Sequence, residues 1–218
     1  MEQPHHPTPA QIRWDPALAL LAAGGISFAL PESLSIGPRW LLFVLVSVLL
    51  VPTILTHRSG RHSLNHLFGI LCNAVITLNL CGSLTLLVAA LPERKEAPAT
   101  LLLSALLLWC ANVLVFSLWY WRLDGGGPAS RQKRAPYGSR AFLFPQLQIE
   151  SGERKFMGVE HWTPGFVDYL FLAFNTSTAF SPTDTLVLQG WAKLMMMGQA
   201  SISLLILVLL VARGINVL

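Results

Sequence analysis

Charged residues are scarce, at 12% of the chain, where soluble domains carry about 25%. Hydrophobic residues make up 53%, too many for a water-facing surface, which argues against a soluble enzyme or soluble binding module. Cysteine is scarce as well. Cys72, Cys81 and Cys110 all fall inside apolar runs, with no CxxC or Cys/His spacing, so they read as small buried hydrophobes rather than disulfides or metal ligands. There is no Walker loop, dinucleotide fingerprint, zinc-protease helix or nucleophile elbow. Neither an enzyme nor a bound cofactor or metal is expected.

The apolar residues come in blocks rich in Leu, Val and Ala, separated by short polar links, which is the hydropathy signature of several membrane-crossing helices. The blocks cover 16–30, 40–56, 67–91, 100–121, 166–180 and 191–212. The first is short and glycine-bearing, resembles a signal-peptide core, and is expected to remain as a short or tilted span anchored by Trp14. Pro52 near the end of the second predicts a kink or an early stop. Trp119, Tyr120 and Trp121 end the fourth with a cluster typical of a membrane interface. Four divisions follow: a disordered tail over 1–13, a four-helix part over 14–122, a basic Gly/Pro-rich loop over 123–162, and a helix pair over 163–218. The expected fold is an all-α polytopic bundle of five or six spans, with 166–180 either spanning or re-entrant.

A net charge of +4 and a pI near 9.3 would suggest nucleic acid in a soluble protein. Here the basic residues sit between apolar runs, where they set topology, and no nucleic-acid partner is expected. A cytoplasmic N-terminus puts Arg58 and Arg61 inside, "ERKE" outside, and Arg122, Arg131, Lys133, Arg134 and Arg140 inside. The loop carrying those last five reads as flexible and solvent-exposed.

Polar chemistry concentrates in "FNTSTAFSPTDT", 174–185. Ser181, Pro182, Thr183 and Asp184 fit a helix start, with a capping hydroxyl, proline in the first turn and an acid at the positive dipole end. Thr163-Pro164 announces the preceding helix in the same way, with Asp168 as its dipole partner. Asn175, Thr176, Ser177 and Thr178 are consecutive, so on a helix they point all round and some must meet protein or water. They bond back to carbonyls a turn earlier, join helices, or line a wet path. Asn73, Asn79 and Asn112 read as glue between helices. His57, His62 and His66 belong to a basic interfacial loop. Met195, Met196 and Met197 read as packing, with Gln199 bonding across helices; Asp168, Met197 and Gln199 are also candidate pore-lining residues.

"WTPGFVDYLFLAFNTSTAFSPTDT", "WAKLMMMGQASISLLILVLLVARGINVL", "WYWRLDGGGP" and "FLFPQ" resemble an uncharacterised family of bacterial multi-span membrane proteins labelled ion-channel-like. The resemblance covers most of the chain from Trp119 onward and implies a bacterial inner-membrane location. Within it, 166–212 weakly resembles the pore helix, filter and inner helix of two-helix potassium-channel pores. A potassium filter reads Thr-Val-Gly-Tyr-Gly-Asp, with carbonyls replacing the ion's water. Here Thr178 and Ala179 take the first two places, Phe180, Ser181 and Pro182 replace Gly-Tyr-Gly, and Thr183 is extra before Asp184. Phenylalanine does not readily take glycine's left-handed backbone and proline fixes φ, so a carbonyl-lined potassium filter is not expected. Such a pore helix also enters from outside, whereas the loop charge puts the segment before Thr163 inside.

The expected function is passive permeation or transport of a small ion by a homo-oligomer in the lipid bilayer. The expected pathway residues are Asn175, Thr176, Ser177, Thr178, Ser181, Thr183 and Asp184. The alternatives are a non-catalytic membrane scaffold or assembly protein, and a small-molecule sensor or carrier.

Overall fold

A computed structural model describes residues 15–59, 62–93, 97–133, 140–160, 162–178 and 184–214. The N-terminal tail, Trp14 and part of the basic loop lie outside the described residues. The chain is mostly helical, in the order α1 (Asp15–Ala29), α2 (Arg39–Arg58), α3 (His62–Glu93), α4 (Pro98–Leu123), α5 (Pro128–Lys133), β1 (Phe142–Leu143), α6 (Pro145–Gln148), α7 (Ser151–Phe156), α8 (Phe166–Thr178), β2 (Leu186–Val187) and α9 (Gly190–Gly214). Four stretches are helical, long and apolar enough to cross a membrane: Arg39–Thr56, Ser63–Ala90, Ala99–Gly126 and Gly190–Val211. Helix α1 has 15 residues, a length of about 22 Å at 1.5 Å per residue, against about 30 Å of hydrocarbon.

Pro52 does not stop α2, which runs on to Arg58. The next turn is held by side chains: Thr53 Oγ1 donates to the Leu49 carbonyl at 2.8 Å, and Thr56 Oγ1 to that of Pro52 at 2.6 Å. Asn65 Nδ2 donates to the Thr53 carbonyl at 2.7 Å, tying the end of α2 to the start of α3.

Helix α4 is the axis of the bundle. It packs against α1, α3, α8 and α9, and 61% of its apolar window is buried, against 17% for α9. Its small residues Ser104, Ala105, Ala111 and Ser117 are buried beside Leu101, Leu108, Phe116 and Tyr120, which lets neighbours approach it from several sides. The outer face of α9, with Leu194, Met197, Leu204, Val208 and Val211, is exposed.

Helices α8 and α9 both start at the end of the bundle where α4 finishes. Trp121 meets Phe166 with ring centroids 6.2 Å apart and Trp109 meets Phe174 at 5.7 Å, so α8 runs antiparallel to α4. Beyond it the chain comes back. Strand β2 pairs antiparallel with β1, Phe142 opposite Val187 and Leu143 opposite Leu186, and Leu188 N donates to the Ala141 carbonyl at 2.8 Å. Helix α8 thus starts at the end of the bundle to which Leu186 and Val187 also belong.

The basic loop is not a free, solvated link. Arg122, Arg131 and Arg140 are buried, and so are Phe142, Phe144 and Leu147. Phe142 contacts the rings of Tyr120, Tyr169 and Trp191, with centroids 5.2, 6.2 and 6.3 Å away, so burial of aromatic surface folds this stretch onto the helix ends. The aromatic trio ending α4 is internal packing for the same reason. Tyr120 is fully buried, and the indole of Trp119 donates to Thr77 Oγ1 at 2.9 Å.

Candidate functional site

Two buried polar networks hold α8 in place. At the shared end, Asp124 directly follows α4 and is fully buried. Its Oδ1 accepts from Ala141 N at 2.6 Å and Phe142 N at 3.4 Å, and its Oδ2 from the Tyr169 hydroxyl at 2.6 Å. Arg131 Nη1 donates to the carbonyls of Trp121 and Asp124, both at 2.7 Å, satisfying oxygens that the end of α4 leaves without helical partners. The Arg131 guanidinium also lies 5.1 Å from the Tyr169 ring centre. The turn that brings Arg131 back needs a left-handed backbone, supplied by Gly125, Gly126 and Gly127 at φ 57°, 76° and 92°. Arg122 turns the other way, toward α3. Its Nη1 donates to the Asn65 carbonyl at 3.2 Å, and its guanidinium fills the space left by the missing side chain of Gly69.

The second network lies midway along α4. Gln199 Nε2 donates to the Ala173 carbonyl and to Ser177 Oγ, both at 2.7 Å, while its Oε1 accepts from the Tyr120 hydroxyl at 2.6 Å. Asn112 Nδ2 donates to Ser203 Oγ at 2.9 Å and to the Gln199 carbonyl at 3.3 Å. Five buried side chains thereby join α4, α8 and α9. The bonds formed by Gln199 and Asn112 fit the expected role of glue between helices.

The expected pathway residues do not gather at one point. Ser177 and Gln199 are buried and bonded to each other. Thr176 Oγ1 donates to the Leu172 carbonyl at 2.8 Å, and Thr178 Oγ1 to those of Asn175 and Phe174 at 3.1 and 3.2 Å. Both hydroxyls are half-buried and keep oxygen lone pairs free to accept. Asn175 is half-buried beside them. Asp168 Oδ2 accepts from Gly165 N at 2.6 Å and closes the start of α8. Met197 is exposed on the outer face of α9.

Asp184 is exposed on the returning leg just before β2, where Gln148 Nε2 reaches its carbonyl at 3.4 Å. It is separated from Thr178, which ends α8 in the bundle interior. Helix α9 begins only at Gly190. The "SPTD" stretch is therefore not its first turn, because pairing with β1 holds Leu186 and Val187 extended. Ser181 and Thr183 lie outside the described residues, as do the side chains of His57 and His62.

Asn73 is buried with neither amide atom bonded among the described residues, unlike Asn112. Cys81 is exposed, facing out of the bundle, contrary to expectation. Asp124 and Tyr169 carry no expected role in the sequence, and Tyr120 reads there only as an interface aromatic. The available signal was a lone acid directly after a long apolar helix and ahead of three glycines, "RLDGGGP". Comparison with protein-family models, curated proteins and solved structures gives no match for the chain.

Proposed function

We propose that the chain is one subunit of a membrane-embedded homo-oligomer that lets a small ion cross, with α8 and the segment after it as the lining element. The observation that carries this reading is that α8 starts at the end where β2 pairs with β1 and stops at Thr178, between two long apolar helices. In a bilayer, backbone that leaves a helix at depth is tolerated only inside protein or against a water-filled cavity. Near the inner end of α8 the hydroxyls of Thr176 and Thr178 bond back to its carbonyls and keep lone pairs free to accept. Helix C-terminal ends are partially negative, which favours a cation. The bare outer face of α9, with Gly198 and Ser201 among its exposed residues, suits packing against a second copy.

On this reading α1, α2, α3, α4 and α9 cross the bilayer while α8 dips. Loop charge puts the N-terminus and the inlet of α8 in the cytoplasm, opposite to the potassium-channel arrangement. The resemblance noted above supports a bacterial inner membrane as its location. A small-ion pathway of a kind other than the potassium filter follows from Phe180 and Pro182.

The competing reading, a non-conducting scaffold, is favoured by the closed network around Gln199, in which polar atoms at depth are already paired. Ion flux into vesicles holding the purified chain separates the two. Conduction requires flux that falls several-fold in Thr178→Val and responds to Thr176→Val. No flux over a range of cations, pH and voltage leaves the scaffold.

A further inference from the structure

At the end of the bundle where α4 finishes, three buried arginines stand beside one buried carboxylate among the described residues. Arg122, Arg131 and Arg140 are 4%, 6% and 9% exposed, and Asp124 is the one buried carboxylate among the described residues. Ionised groups leave water at a large cost unless they are paired. Arg122 has a carbonyl and the Trp121 ring, which is 5.5 Å from its guanidinium carbon. Arg140 differs from both: its Nη1 is buried and has no hydrogen-bond partner among the described residues. The adjoining sequence "RAPYGSR" contains no acid.

Arg140 also lies beside Arg131. A methyl group built on Gly125 would lie 2.9 Å from Arg131 Cγ and 3.8 Å from Arg140 Cγ, so both arginines lie along the same left-handed glycine turn. Gly126, at the tip of that turn, is exposed, so the turn opens outward. A guanidinium carries five N–H donors in a fixed fork that matches the oxygens of phosphate and carboxylate. In a membrane-embedded bundle this end meets the headgroup layer, where phosphate oxygens are abundant.

We infer that Arg140, with Arg131 beside it on the Gly125–Gly127 turn, forms a binding site for a phosphate-class oxyanion. A phospholipid headgroup and free phosphate offer the same chemistry. The site is independent of ion conduction, since it lies at the outer end of α8 and shares no group with Thr176 or Thr178.

The test uses the full chain purified in a phosphate-free sugar detergent, with inorganic phosphate and phosphatidylglycerol mixed micelles as separate probes and affinity read from the shift in unfolding midpoint. Arg39→Gln is the control, because Arg39 pairs with Glu32 at 3.8 Å at the opposite end of α2. The inference expects at least a tenfold loss of affinity in Arg140→Gln, none in Arg39→Gln, and an intermediate loss in Arg140→Lys, which keeps the charge but not the fork. A response to phosphatidylglycerol alone assigns the headgroup, and a response to both probes assigns a site open to free phosphate. No response of the unaltered chain to either probe overturns the inference, as does equal affinity in Arg140→Gln. If Arg140→Gln does not fold, Arg140→Lys decides, and affinity equal to the unaltered chain overturns the inference.

Discussion

The Tyr169 hydroxyl donates to the Asp124 carboxylate at 2.6 Å across 45 residues of sequence, joining the start of the short helix α8 to the end of α4. The same carboxylate accepts from Ala141 N, so one side chain fixes three chain segments. Tyr169→Phe removes one hydrogen bond to a charged group, with an expected loss of about 1.5–3 kcal/mol. Asp124→Ala strands the hydroxyl and a backbone donor together and should cost about 3–5 kcal/mol. Denaturant titration in detergent micelles measures both. A Tyr169→Phe variant as stable as the parent would show that the bond contributes nothing.

Gln199 and Tyr120 form the second prediction. Polar contacts between helices in lipid are worth about 0.6–2 kcal/mol. Gln199→Leu leaves the Tyr120 hydroxyl and Ser177 without their partner and should destabilise by that order. In a double-mutant cycle the Tyr120→Phe and Gln199→Leu losses should not add, since each breaks the same bond. Simple additivity would mean that the two groups are not coupled.

A third prediction concerns Gly69. A methyl group there would sit 1.7 Å from the Arg122 guanidinium carbon. Gly69→Ala should displace that guanidinium from the Asn65 carbonyl, with an expected cost of about 1–3 kcal/mol. In an Arg122→Ala background the same change should be neutral, or stabilising by up to about 1 kcal/mol, because alanine is the better helix former. An equal cost in both backgrounds would remove Arg122 as the cause.

Much of this architecture is legible from composition. Blocks of Leu, Val and Ala with few interruptions leave little choice but long helices, and the four long apolar helices fall where the second, third, fourth and last blocks stand. The direction taken after α8 is not legible, because it depends on Phe142 pairing with Val187, two short segments with no alternating pattern of their own. Asp124 is hidden for a similar reason: ahead of three glycines it reads as turn punctuation, and its partners come from positions 141, 142 and 169. The bond of Gln199 across helices is legible, but its partners Tyr120, Ala173 and Ser177 are not, because they come from α4 and α8.

Accessibility supplies a fourth prediction. In a background without Cys72, Cys81 and Cys110, cysteines placed at Glu153 and Asp184 should react with a membrane-impermeant thiol reagent from one side of oriented vesicles. A cysteine at Glu32 should react from the other. All three native residues are exposed. Opposite-side labelling of 153 and 184 would mean that α8 crosses the bilayer.

The pairing of β1 with β2 has a consequence for membrane thickness. Long helices adapt to a thicker or thinner bilayer by tilting. On the proposed dip of α8, the Tyr169–Asp124 bond and the β1–β2 pairing latch both feet, so the depth of Thr178 is referred to the plate of Phe142, Phe144 and Asp124 rather than to the lipid. Thr178 then acts as a depth gauge. In bilayers of different thickness the distance from that plate to Thr178 stays constant, while the distance from Thr178 to the far membrane face changes.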